Sequence, residues 1–150
     1  MEKARALIVG AILIALAACG RAVETASFAD VAEARQSGAV ERGWVPAVLP
    51  DGAFELRAAY ATRGAERWGL FNFRPDQAEA LRTVLEPQEV SLAGTVIDIP
   101  GRIEWWPVQL RGPLDAERIE ATGLRAYHAR SAPLVIAVNW NQGRAYYWTK

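Results

Sequence analysis

The chain has 150 residues, one domain's worth, and 51% of them are hydrophobic. Seventeen Lys and Arg balance 17 Asp and Glu, so the formal net charge is zero and the concentrated basic face of a nucleic-acid binder is not expected. The single cysteine excludes an intramolecular disulfide, so the fold must stand on its apolar core.

The chain opens MEKARALIVGAILIALAAC. Lys3 and Arg5 form a basic start, and Ala6 to Ala18 is apolar or glycine without a break. That run is shorter than the roughly 20 residues a spanning helix needs, and it has the length of a signal-peptide apolar region. It ends in Leu16-Ala17-Ala18-Cys19, which resembles the lipobox of bacterial lipoproteins. The resemblance implies cleavage before Cys19 and a diacylglyceryl group on its sulfur. Loss of 1–18 removes Lys3, Arg5 and Glu2 and leaves a small negative charge. Two or more acyl chains, each contributing about 0.8 kcal/mol per buried CH₂, make such anchoring stable. Gly20 is not Asp, the residue associated with inner-membrane retention, so in a host with two membranes the expected place is the outer one, facing the periplasm. The organisation expected is a signal peptide over 1–18, a lipidated tether over 19–26 and a single domain over 27–150.

Ser27 reads as a helix N-cap with Asp30 as its capping-box partner, which predicts a helix over 28–37 closed by Gly38. Residues 38–50, GAVERGWVPAVLP, carry two glycines and two prolines around Trp44 and predict an ordered loop. Phe54 to Ala61 and Arg67 to Phe73 predict the first hairpin, with Phe54, Leu56, Ala58 and Tyr60 on one face. Pro75 opens a second helix running to Leu85 and stopped by Pro87. Gly94 to Ile99 predicts a short edge strand, Asp115 to Thr122 a helix, and Leu124 to Ala129 a strand. Leu134 to Trp140, a turn at Asn141-Gln142-Gly143, and Ala145 to Trp148 predict the last hairpin. The fold class expected is α+β: an antiparallel sheet of four or five strands with two or three helices packed on one face.

The 38–50 segment, following a helix and preceding a hairpin, resembles an uncharacterised family of bacterial lipoproteins with a YbbD head-type domain. Trp105-Trp106-Pro107 and the terminal Ala145-Tyr146-Tyr147-Trp148 also fit, so the resemblance is expected over most of the mature chain. It implies a location and a fold, not an activity. Acidic and polar residues are expected in the family's first hairpin, where this chain has Ala58-Ala59-Tyr60-Ala61-Thr62.

No catalytic constellation stands out. His128 is the only histidine; Ser131 and Ser91 are the serines a triad would draw on, and neither lies in a nucleophile elbow. One His without a free thiol makes no zinc site, and Asp98, Glu104, Asp115, Glu117 and Glu120 match no calcium loop. No cofactor is expected. Glu104 beside Trp105 and Trp106 is the one arrangement suited to a sugar. The six tryptophans are the most unusual feature. Most must be core, yet adjacent Trp105 and Trp106 cannot both point inward from an extended segment. Trp44, Trp105, Trp106 and Trp140 are therefore the candidate ligand or partner surface. The function expected is a non-catalytic interaction or accessory domain held at the membrane by lipid on Cys19, its partner an envelope protein or a glycan. The alternatives are a small-ligand or glycan-binding module using exposed tryptophans, and a hydrolase.

Overall fold

Seven segments join one antiparallel sheet. They are β1 (Val23–Asp30), β2 (Phe54–Ala61), β3 (Arg67–Asn72), β4 (Leu85–Val90), β5 (Leu124–Ala129), β6 (Leu134–Asn139) and β7 (Arg144–Thr149). The spatial order is β1-β2-β3-β7-β6-β5-β4, so two meanders meet where β3 pairs with β7. A computed structural model describes residues 22–150 apart from Arg102; residues 1–18, expected to be a signal peptide, and Cys19 lie outside the described residues.

Seven strands, not four or five, correct the sequence expectation. The two additions are the edges of the sheet. β1 takes up Val23 to Asp30, including residues read as tether and the Ser27 read as a helix cap. It pairs with β2 from Val23↔Ala61 to Asp30↔Phe54. Asp30 then caps α1 (Val31–Gln36), accepting from the Glu33 N–H at 2.8 Å. β4 contains Pro87, which an edge strand tolerates because one side of it needs no N–H donor. The second helix is accordingly shorter than expected: a 3-10 turn at Pro75–Gln77 leads into α2 (Ala78–Val84). The strand expected over Gly94 to Ile99 is absent; that stretch is irregular, with a single bridge between Val96 and Pro113. α3 (Ala116–Ala121) forms as expected, capped by Asp115.

Helices were also expected on one face alone, and both faces are covered. The first face bears Leu56, Ala58, Phe71, Ile136, Val138 and Tyr147, packed under α1, the 39–49 loop and Leu81 of α2. The opposite face bears Ala59, Trp68, Ala126, Val135, Ala137 and Trp148, packed under Leu92, Ile97, Ile103, Trp106, Leu110 and Leu114, with Ile119 of α3 beside them. A sheet clad on both sides can bury large residues at nearly every strand position, which is why β6 is buried throughout.

The 38–50 segment is the lid of the first face. Gly38, at φ 80°, ends α1 in the left-handed conformation, and the N–H groups of Gly38 and Ala39 donate to the carbonyls of Arg35 and Ala34 at 3.0 Å each. The chain then folds back so that Ala39, Val45 and Leu49 enter the core. Arg42 donates to the Ser37 carbonyl at 3.1 Å and lies over the Trp44 ring, 4.4 Å from its centroid. The pattern of glycines, Arg and Trp in this segment is thus explained by packing.

Candidate functional site

The four tryptophans of the expected surface go to four different environments. Trp44 is stacked on Tyr60, with centroids 4.6 Å apart, and shares its ring with Arg42. Burial raises the Tyr60 phenol above its ordinary pKa, and the Tyr60 hydroxyl donates to Glu24 at 3.0 Å, which raises it further. Trp140 packs edge-on against Phe73 and Tyr127, donates its indole N–H to the Tyr127 hydroxyl at 3.2 Å, and lies under Arg82 at 4.0 Å. It borders a shallow hollow of about 350 Å³ with Arg82, Arg130 and Glu86. Trp106 is 2% exposed and belongs to the second core cluster. Its indole N–H donates to the Leu110 carbonyl at 3.4 Å, and its ring meets Tyr146 and Trp148 edge-on.

Trp105 alone of the four borders a wide groove, of about 690 Å³. Its ring is half-buried, tilted against Trp106 at 6.1 Å, and so held from behind by the core. Glu104 stands next to it on the same rim. The floor comes from the sheet. Ser27 on β1 pairs with Arg57 on β2, and Arg57 with Leu70 on β3; Asn72, two residues on, pairs with Arg144 on β7. Alternation puts these side chains on the face that the 91–114 cover leaves open here. Leu70 is 7% exposed yet belongs to neither core cluster, so it forms an apolar patch at the bottom.

A β-bulge shapes this floor. Phe54 pairs with Asn72 and Arg57 with Leu70, so Glu55 and Leu56 together face Phe71. Phe54 therefore leaves the Leu56 and Ala58 row expected from strict alternation. Glu55 sits at φ 50°, the sole described residue other than glycine with a positive φ. That conformation brings its carboxylate to the side-chain amide of Asn72, which donates to it. The Asn72 carbonyl oxygen accepts from Arg144 Nε at 2.9 Å. Glu55, Asn72 and Arg144 form one relay across β2, β3 and β7. Nothing local in the sequence pointed to it, because the three residues lie far apart in the chain; the only signal was an Asn and an Arg in strands otherwise rich in apolar residues.

His128 does not join either serine among the described residues. It borders a separate hollow of about 540 Å³ with Trp68, Asp98, Trp148 and Lys150, and no serine lines that hollow. Its Nδ1 is buried without a hydrogen-bond partner among the described residues. Ser91 lines another hollow, of about 410 Å³, between β4 and α3. Among the described residues no group of three or more His, Cys, Asp and Glu could hold a metal ion, and no helix is long and apolar enough to cross a membrane.

Comparison with known families finds a likeness for one third of the chain. Residues 23–72 match the YbbD head domain. The matched span covers β1, α1, the 38–50 lid, β2 and β3. Ser27, Glu55, Arg57, Leu70 and Asn72 of the groove fall within that span, while Glu104, Trp105 and Arg144 come from the remainder of the chain. The match ends at residue 72, so Trp105-Trp106-Pro107 and the 145–148 hairpin lie outside it, a narrower span than the sequence resemblance implied. No curated protein and no solved structure matches the chain.

Proposed function

We propose that this chain is a lipid-anchored envelope protein whose folded part binds a ligand without transforming it, and that the groove beside Trp105 is its ligand-facing surface. The carrying observation is a single aromatic ring, braced from behind by Trp106, standing over a polar floor that contains two arginines. Ligand sites combine apolar walls with a few placed polar groups in this way. The lipobox at Leu16-Ala17-Ala18-Cys19 supports the anchor, and Gly20 supports an outer-membrane, periplasm-facing position where two membranes exist. A glycan of the envelope suits the groove, since sugar rings pack on aromatic faces and their hydroxyls take bonds from Arg, Asn and Glu.

Two experiments test this. Metabolic labelling with a fatty acid should mark the wild-type product and leave Cys19→Ser unlabelled; equal labelling of both removes the anchor. Tryptophan fluorescence of the full chain in detergent should change on titration with peptidoglycan fragments or envelope glycans, and Trp105→Ala should abolish the change. A response that survives Trp105→Ala, or none across the panel, removes the groove as the binding surface.

A further inference from the structure

Resting on that reading of the groove, we infer that its ligand is an acidic saccharide, with a pyranose ring against Trp105 and a carboxylate received by Arg144 and Arg57. The relay is the reason. Arg144 is half-buried, and its Nε is occupied by the Asn72 carbonyl oxygen at 2.9 Å. Asn72, itself buried, is fixed in that orientation because its amide donates to Glu55. A guanidinium held by one nitrogen is fixed in its plane, and its other two nitrogens have no partner among the described residues. That edge is a preorganised two-pronged donor, which matches the planar oxygens of a carboxylate.

Arg57 supplies a second cation. It is exposed, and its side chain makes no hydrogen bond or ion pair among the described residues. β2 and β7 flank β3, so Arg57 and Arg144 rise from strands roughly 10 Å apart. Their long side chains bracket Leu70, the apolar patch at the bottom of the groove. Glu55 and Glu104 balance the two arginines in formal charge, so the preference rests on the open guanidinium edge of Arg144 and not on net charge. The Glu55 carboxylate is already an acceptor for Asn72, so it serves to orient the relay. Glu104 is on the rim beside Trp105, placed to accept from sugar hydroxyls. Open donors at the floor with an aromatic wall at one side favour a ligand with an anionic end and a ring face.

The test is isothermal calorimetry of the full chain in detergent against a matched pair, cellobiouronic acid and cellobiose, which differ by one carboxylate in place of a hydroxymethyl group. The acid should bind roughly tenfold or more tightly, the value of a hydrogen bond to a charged group. Arg144→Gln should bring the acid's affinity down to within about twofold of cellobiose's in the same variant, and an acid advantage that survives intact would overturn the inference. Asn72→Leu should reduce it by freeing the guanidinium. Arg57→Gln, at an exposed position where folding is not at stake, should also lower the acid's affinity. Equal binding of the two sugars, with both lost in Trp105→Ala, would overturn the acid preference and keep the groove. Binding of the acid that ignores Trp105→Ala, or no binding of either sugar, would overturn both.

Discussion

Truncating Trp106 to alanine and truncating Trp105 to alanine should have opposite profiles, although the residues are neighbours in sequence. Trp106 is 2% exposed, and its ring meets Tyr146 and Trp148 at 6.0 Å each. Removing a fully buried indole costs about 3–5 kcal/mol in lost transfer energy and cavity. A domain of this size loses about 0.3 kcal/mol of stability per degree near its midpoint, so Trp106→Ala should lower Tm by roughly 10–17 °C. Trp105 is only half-buried and its outer face looks onto the groove. Its truncation should cost about 1–2 kcal/mol, or roughly 3–7 °C, and should remove ligand binding. Circular dichroism melts of the full chain in detergent read the first quantity and fluorescence titration the second. Equal losses of Tm, or a larger loss for Trp105→Ala, would refute the assignment of one indole to the core and the other to the groove.

Gly69→Ala should destabilise by about 1–3 kcal/mol in urea denaturation, because a Cβ there would meet the Tyr147 ring at 2.0 Å, and adding Tyr147→Leu should give less than the sum of the single effects. Burial raises the Tyr147 phenol above its ordinary pKa of 10.0, so the folded chain holds that proton more tightly than the unfolded chain. The resulting stability is complete below pH 10 and falls as pH rises beyond it; Tyr147→Phe should flatten that alkaline fall in urea midpoints, and an unchanged slope would count against it. Asp30→Ala should cost about 1 kcal/mol by removing the α1 cap that receives the Glu33 N–H, while Ser27→Ala should leave thermal stability unchanged.

The parts of the fold legible in the sequence are those governed by short-range pattern. The β2–β3 and β6–β7 hairpins follow from alternation around polar turns, and α3 follows from Asp115 before a short helical run. The edges were not legible. β1, with no fully buried residue, and β4, with only Leu85 buried, lack the apolar rhythm of interior strands. Ser27 carried a helix-cap signal that pairing with β2 overrode, and Pro87, correctly read as ending the second helix, gave no sign that an edge strand follows. The cover over 91–114 is irregular, so periodicity says nothing about it. Of the groove, Trp105 and Glu104 were legible as an aromatic and an acid side by side. The relay of Glu55, Asn72 and Arg144 depends on a bulge and on β3 pairing with β7, and long-range register has no local signature.

The most direct test of the account is the indole N–H region of a nitrogen-15 NMR spectrum, with the resonances of the six tryptophans assigned by single substitution. On titration with an envelope glycan, the Trp105 signal should shift progressively while Trp68, Trp106 and Trp148, packed in the second core, hold still. A ligand that moves Trp44 or Trp140 and leaves Trp105 in place would contradict it.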